Sequence, residues 1–357
     1  MDYYIDMKRK KRNTAGAKAP ADISELCREM GMKRFTMPQF PTEKGKLYKK
    51  VWLLLVSGFY WTKLRFTVKK GDCVVYQHPM YGSRAALKMI PYIQKKTSCQ
   101  FIALIHDLES LRKGIEGVLQ NNEKTNQLAD NQLLKQFDYV ICHNEHMKQY
   151  LISQGFELDR LVSLEIFDYL SDCTREQKEK GGKPSIAIAG NLASGKSGYI
   201  YELMKKHTGV QMHLYGINFD ESARTEDAVY HGSFAPEELP KYLEGDFGLV
   251  WDGPSAESCV GNTGEYLKYN NPHKTSLYLS SNMPVIIWKE AAMADFIREN
   301  NCGILVGSLY EIADAVNALS QEEYETIKKN ARTIGEKLKS GFFTRKAIDA
   351  CKEKQKS

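Results

Sequence analysis

Residues 269–306, YNNPHKTSLYLSSNMPVIIWKEAAMADFIRENNCGILV, read in order as helix, short apolar strand, helix, short apolar strand. Such alternation implies a parallel sheet with both faces covered by helices. The first helix opens with Asn271, Pro272, His273 and Lys274, and the turn before the first strand carries Asn282 and Pro284. A lysine in the first turn of a helix is badly placed for the helix dipole. The same end suits an anion, because free N–H groups and an ammonium can share a phosphate. The segment therefore predicts half of a nucleotide-diphosphate site on an α/β sheet, which points to a sugar-nucleotide enzyme.

The alternation extends through most of the chain. Strands are expected at Tyr3–Met7, Cys73–Gln77, Phe101–His106, Tyr139–His143, Ile186–Gly190, Gln211–Tyr215, Phe247–Trp251, Pro284–Trp288 and Gly303–Val306. Helical patterns fill the gaps, among them Ala21–Met30, Ser83–Lys95, Glu145–Gln154 and Glu311–Ala318. The polar run SDCTREQKEKGGKP at 171–184 has a linker's composition, and a buried-strand pattern follows it at once. The reading is an α/β chain of two Rossmann-like domains, 1–170 and 184–335, with ligands in the cleft facing the carboxyl ends of the strands. A closing segment, 336–357, carries an amphipathic helix expected to pack back on the first domain.

A chain of 357 residues with 42% hydrophobic and 26% charged residues fits a two-domain globular protein. Its net charge of +6 owes much to one run, Lys8–Arg12, which suits a solvated segment, a phosphate loop, a nucleic-acid patch or a contact for anionic lipid. The eight cysteines form no CxxC pair and several sit in strand-like runs, so free buried thiols in a reducing compartment are expected. The basic N-terminus has no following apolar run, so no signal peptide is read there. The run Val51–Trp61 is about half a bilayer span and reads first as a buried helix. Its flanking Lys49, Lys50, Lys63 and Arg65 keep a membrane-surface helix open. A cytoplasmic protein with peripheral membrane contact left open is the expectation.

Five constellations carry chemistry. Gly190-Asn-Leu-Ala-Ser-Gly195-Lys196-Ser197 matches G-x-x-x-x-G-K-[ST] between a strand and a helix, and the apolar strand ending in Asp252 resembles a magnesium-holding partner. That pair alone would suit a P-loop NTPase or kinase, and either way Lys196 at a helix N-terminus makes a phosphate cradle. His106, Asp107 and Glu109 end another strand, where a carboxylate could deprotonate a hydroxyl; Asp107 could equally cap the next helix. His143-Asn144-Glu145-His146 reads as an N-cap at Asn144 rather than a metal site. The loop Arg9–Lys18 follows the first strand and could reach over the cleft or be plain surface. Tyr230–Leu239, with Ser233 and Phe234, could bracket a nucleobase.

Taken in order, the Thr14-Ala15 loop, IHDLESL, AGNLASGK, FGLVW, the Lys274 helix with NMPVIIW, and GFFTRKAI at 341–348 resemble GT-B glycosyltransferases of the bacterial β-1,6-galactofuranosyltransferase type. They are also similar to streptococcal glucosyltransferases that extend O-linked N-acetylglucosamine on serine-rich adhesins. The resemblance spans nearly the whole chain. It implies transfer of galactofuranose or glucose from a UDP-sugar, with inversion and with neither metal nor other cofactor. The acceptor would be a glycan, with a lipid-linked one left open; nucleic acid is not expected and a homo-oligomer is. In the family, Lys196 and Lys274 would contact the donor diphosphate, and Asp107, with Glu109 second, would be the base. Thr14, Asn191, Ser233, Phe234, Asp252, His273 and Thr275 complete the expected nucleotide-sugar site. The family pattern more often carries Arg at the position of Lys196, and the loop at 8–12 is unusually basic.

Overall fold

The computed structural model describes residues 1–7, 15–38, 40–41, 43–114, 123–173 and 182–354. The chain divides into two compact units, one drawing on Met1–Arg12, Pro20–Leu164 and Thr344–Ser357, the other on Asn13–Ala19 and Glu165–Phe343.

In the first unit the strands are β1 (Tyr3–Met7), β2 (Lys33–Met37), β3 (Cys73–His78), β4 (Gln100–Ile105), β5 (Tyr139–Cys142) and β6 (Leu161–Ser163). They form one parallel sheet in the order β2-β1-β3-β4-β5-β6. Every residue of β3 and β4 is buried, as strands covered on both faces must be. The two strands without a clear sequence signal, β2 and β6, are the sheet's edges. An edge strand has one neighbour and less to bury, so KRFTM and LVS lack the apolar run that marks the interior strands.

The second unit repeats the plan with β7 (Ser185–Asn191), β8 (Gln211–Ile217), β9 (Ala228–Gly232), β10 (Phe247–Val250), β11 (Val285–Trp288) and β12 (Gly303–Val306). Its parallel order is β12-β11-β10-β7-β8-β9. The chain builds outward from β7 to β9, then returns to lay β10 on the other side of β7. The topological switch point therefore lies between β7 and β10, and in open α/β sheets that is where ligands bind. Two such six-stranded sheets are the GT-B architecture.

The expected helices are present. The helix Ala15–Glu29 starts earlier than its pattern suggested and carries Pro20 within it. The helix Gln321–Lys339 opens with a capping box between Ser320 and Glu323. After it, Phe342–Glu353 buries Phe343, Ala347, Ile348 and Cys351, and ties into the first unit through Lys352 to Asp2 at 2.7 Å and Arg345 to Glu29. All eight cysteines are free thiols, and all but Cys173 are buried.

The expectation of a buried helix at Val51–Trp61 holds for one face only. Lys46–Val51, a π-helical stretch Trp52–Val56 and Ser57–Thr67 run on as one rod, with right-handed helical backbone at both junctions. Trp52, Ser57, Trp61 and Leu64 are buried, whereas Leu54, Leu55 and Phe59 face outward. No helix among the described residues is long and apolar enough to cross a membrane.

Candidate active site

The switch point of the second sheet gathers four of the expected residues. β7 ends at Asn191, and after Leu192 and Ala193 a helical turn opens at Ser194, broken at Ser197 (φ −124°, ψ 46°) before the helix runs on to Lys206, so Lys196 lies in that opening turn. β10 ends at Val250 and is followed by Trp251 and Asp252. The His273–Ser280 helix begins at the same carboxyl edge and brings Lys274 back over the strand ends. A Cβ on Gly190 would lie 3.5 Å from the Lys274 Cε, which places the lysine stem directly across the end of β7.

What holds that helix is built into the neighbouring strands. The Tyr278 hydroxyl accepts the Ala189 N–H of β7 at 2.8 Å, and the Tyr278 ring lies flat over Gly248 of β10. A Cβ at Gly248 would stand 2.0 Å from a Tyr278 ring carbon, so only glycine admits this packing. At the other end, Asn271 donates to the Glu165 carbonyl at 3.1 Å and Ser276 to the Phe167 carbonyl at 2.6 Å.

Lys274 donates to the Asp252 carboxylate at 3.0 Å and to the Trp251 carbonyl at 3.2 Å. Burial works against its charge, but the Asp252 carboxylate outweighs that and lifts the ammonium above its ordinary range. Lys196, by contrast, is exposed and makes no ion pair among the described residues. One cation is thus pinned at the switch point, and a second stands in the first turn of the adjacent helix.

His273 is pressed between Phe167 and Tyr169 and hydrogen-bonded to the Asp168 backbone. Burial pushes its imidazole down to about 3, helped by the positive charge of Lys18. It is therefore neutral near pH 7, with Nε2 as a buried acceptor that meets no partner among the described residues. The buried Thr275 hydroxyl is likewise unpartnered. Buried polar atoms are normally satisfied, so two orphans in one helical turn mark a place where ligand groups can bind.

Lys18 is a residue that motif reading did not single out. It is buried, donates to the Leu170 carbonyl at 2.6 Å, and sits 4.9 Å from the Tyr169 ring centroid. Nothing in its spacing sets it apart from the basic residues before it; only the fold carries it to His273. Thr14 lies outside the described residues, as does the basic run at 8–12.

The phosphate-loop reading of Gly190–Ser197 fails on geometry. A P-loop wraps phosphate with the residues between its glycines, but here only Leu192 and Ala193 separate strand from helix. Gly195 is already helical, and the buried Ser197 hydroxyl donates to the Asn191 carbonyl at 2.9 Å instead of facing a metal. Asn191 serves the turn, its side-chain oxygen accepting from Ala193 N–H and from Asn218, both at 3.1 Å. Asp252 is committed to Lys274.

Ser233 and Phe234 follow β9 at the sheet's far edge, two strands from β7. Ser233 is exposed, and Phe234 stacks on Tyr242 at 4.4 Å between centroids. His231 lies flat on Tyr215, 4.5 Å away and 6° from parallel.

In the first unit, Asp107 and Glu109 follow β4, with Asp107 half-buried. His106 is fixed by the Gln77 side chain at 2.8 Å. The Glu109 carboxylate is held by Arg112 and Lys113. The amide of Ser110, in the first turn of the Glu109–Gly114 helix, donates to Asp130 at 2.6 Å, and Asp130 also bonds the buried His78 at 2.8 Å. Asp130 thus satisfies an amide at the opening of this helix. Asn144 is the N-cap the sequence suggested, accepting the Met147 N–H at 2.9 Å. His143 is buried and bonded to the Ile105 carbonyl at 3.1 Å, while His146 is exposed, so the two do not converge. No group of three or more His, Cys, Asp or Glu is placed to hold a metal among the described residues.

Comparison with known proteins matches the pattern of a glucosyltransferase 3-like N-terminal domain to residues 2–166 and that of the corresponding C-terminal domain to residues 186–351. The chain is 31% identical over 352 residues to the β-1,6-galactofuranosyltransferase WbbI of Escherichia coli K12, covering 97% of each. It is 25% identical over 340 residues to glucosyltransferase 3 of Streptococcus gordonii, covering 94% of this chain and 93% of the relative. Among solved structures, the UDP-forming α,α-trehalose-phosphate synthase of Burkholderia vietnamiensis superposes with a TM-score of 0.60 at 9% identity over 99% of both chains, a likeness of fold.

Proposed function

The chain belongs to the glucosyltransferase 3-like family, a hexosyltransferase by that membership, and from this premise we propose that it moves the hexose of a UDP-sugar to a glycan acceptor with inversion at the anomeric carbon. The observation that carries the donor reading is Lys274, a pinned ammonium at the helix terminus over the β7–β10 switch point.

The chemistry follows from what the leaving group needs. Breaking the bond from anomeric carbon to diphosphate leaves negative charge on UDP, and fixed donors aimed at that charge lower the barrier. Lys274, Lys196 and the N–H groups opening their two helices supply such donors, so no metal is needed for that role. His273 Nε2 can accept a sugar hydroxyl. The attacking acceptor hydroxyl must lose a proton, and Asp107, the half-buried carboxylate after β4, is the proposed base. Glu109 is the second candidate, its carboxylate held by Arg112 and Lys113.

Galactofuranose is the first donor sugar to try, since the galactofuranosyltransferase relative is the more similar of the two compared; glucose is the second. The proposed setting is assembly of a cell-surface polysaccharide or glycoprotein.

Calorimetric titration with UDP and with ATP, each with magnesium and with EDTA, tests the reading. UDP binding indifferent to EDTA, with ATP silent, is the expected result. Magnesium-dependent ATP binding with UDP silent would overturn it.

A further inference from the structure

The rod Lys46–Thr67 carries on its outer face Leu47 (77% exposed), Leu54 (74%), Leu55 (63%), Phe59 (64%) and Phe66 (79%). Its inner face, Trp52, Ser57, Trp61 and Leu64, is buried in the first unit, so the rod cannot turn its apolar side inward. Tyr81, exposed and stacked on Phe40 at 4.4 Å, adds to the apolar surface, and Phe40 in turn meets Trp52 edge-on at 5.3 Å. Scattered exposed apolar residues are ordinary, but several on one helix face mark an interaction surface.

Charge identifies the partner. From Lys44 to Lys70 the sequence carries eight basic residues (Lys44, Lys46, Lys49, Lys50, Lys63, Arg65, Lys69 and Lys70) and no aspartate or glutamate. The next carboxylate along the chain, Asp72, is buried and paired with the N-terminal ammonium at 2.7 Å. An apolar ridge bordered by lysines is the composition of a helix that lies in the interface of an anionic bilayer. A second copy of the chain fits poorly, because a twofold contact would set these lysines against their own copies with no acid of the rod between them. A nucleic acid would leave Leu54, Leu55, Phe59 and Phe66 in water. A transmembrane path is closed, since one face is buried in protein and the rod holds five cations along its length.

We propose that this face seats on an anionic lipid surface, with Leu54, Leu55, Phe59 and Phe66 entering the headgroup–acyl boundary and Lys46, Lys50 and Lys63 at the level of the lipid phosphates. The assignment stands apart from the donor reading, because it uses none of the same residues.

The test is co-sedimentation of the full chain with vesicles of phosphatidylcholine alone and of an equimolar phosphatidylcholine–phosphatidylglycerol mixture, at low and high salt. The chain is expected to pellet with the mixed vesicles at low salt and to be released by high salt. The triple variant Lys46→Gln/Lys50→Gln/Lys63→Gln should bind about 100-fold more weakly, at about fivefold per lysine. Leu54→Ser/Leu55→Ser/Phe59→Ser, at exposed positions, should lose vesicle binding while keeping the wild-type circular dichroism melt. The proposal is overturned if the wild type ignores the mixed vesicles, if it binds neutral ones equally, or if the serine variant binds as well as the wild type. It is also overturned if the wild type binds no vesicles and is an oligomer that the serine variant dissolves, which would give the face to a second copy.

Discussion

At the scale of single residues, the site turns on which charges are tied down and which are not. Lys274 gives two of its three N–H donors to Asp252 and the Trp251 carbonyl, which leaves one for the oxygen of the proposed diphosphate. Lys274→Met keeps the stem over β7 and removes the ammonium. UDP affinity, measured calorimetrically, should then fall about 10- to 150-fold, the worth of a charge-assisted hydrogen bond; unchanged affinity would remove Lys274 from the donor site. Asp107→Asn keeps the shape and one acceptor oxygen but cannot take a proton. Turnover in that variant should drop about 10²- to 10⁴-fold with UDP affinity intact, and full activity would pass the role elsewhere. Both residue types were legible in the sequence, Lys274 because a lysine opening a helix is an electrostatic misfit without an anion. Asp130 and Lys18 were not legible, because what distinguishes them is burial against segments far away in the chain.

At the scale of elements, the His273–Ser280 helix is held by a clasp of sequence-distant parts. Tyr278 bridges β7 through its hydroxyl and β10 through its ring, and Gly248 makes room for that ring. Gly248→Ala forces the ring or the strand to move. Overpacking of this kind costs about 1–3 kcal/mol, so denaturant unfolding should show the second unit destabilised by that order. UDP binding should weaken with it, because Lys274 rides on the displaced helix. A variant as stable as the wild type would mean that the helix can shift freely and that its position is not fixed by the clasp. The interior strands could be read from the sequence because each is an unbroken apolar run. The edge strands β2 and β6 could not, since pairing on one side leaves polar residues tolerable on the other.

At the scale of the whole molecule, two histidines held neutral by burial, one in each unit, are expected to work against stability in acid. Burial depresses His143 to about 4 and His273 to about 3, below the usual value near 6.5. Below pH 6.5 the unfolded chain takes up protons that the folded chain refuses, so stability falls as pH drops toward those folded values. Melting temperature should decline from pH 7 to pH 4, and His143→Gln, which can still donate to the Ile105 carbonyl, should flatten that decline for the first unit. An identical slope in the variant would place the acid sensitivity elsewhere.

Some of this protein is determined by the sequence alone. Apolar runs too short for helices, spaced by helical patterns, force parallel sheets, whereas the boundary expected at 171–184 falls inside the second compact unit, which takes in Glu165–Phe343. The order of the motifs carries the family, and local electrostatics make Lys196 and Lys274 candidates for the proposed donor site. Other properties belong to the tertiary structure. GNLASGKS satisfies a P-loop pattern residue by residue, yet the strand runs two residues into it and only Leu192 and Ala193 separate it from the helical turn at Ser194, leaving no loop to wrap a phosphate. The run from Val51 to Trp61 is equally apolar on all sides as text, and only packing decides that Trp52 and Trp61 go inward while Leu54, Leu55 and Phe59 stay out. The physical reason is common to both cases: composition fixes how much surface must be buried, while the direction each side chain faces depends on neighbours that the sequence places far away.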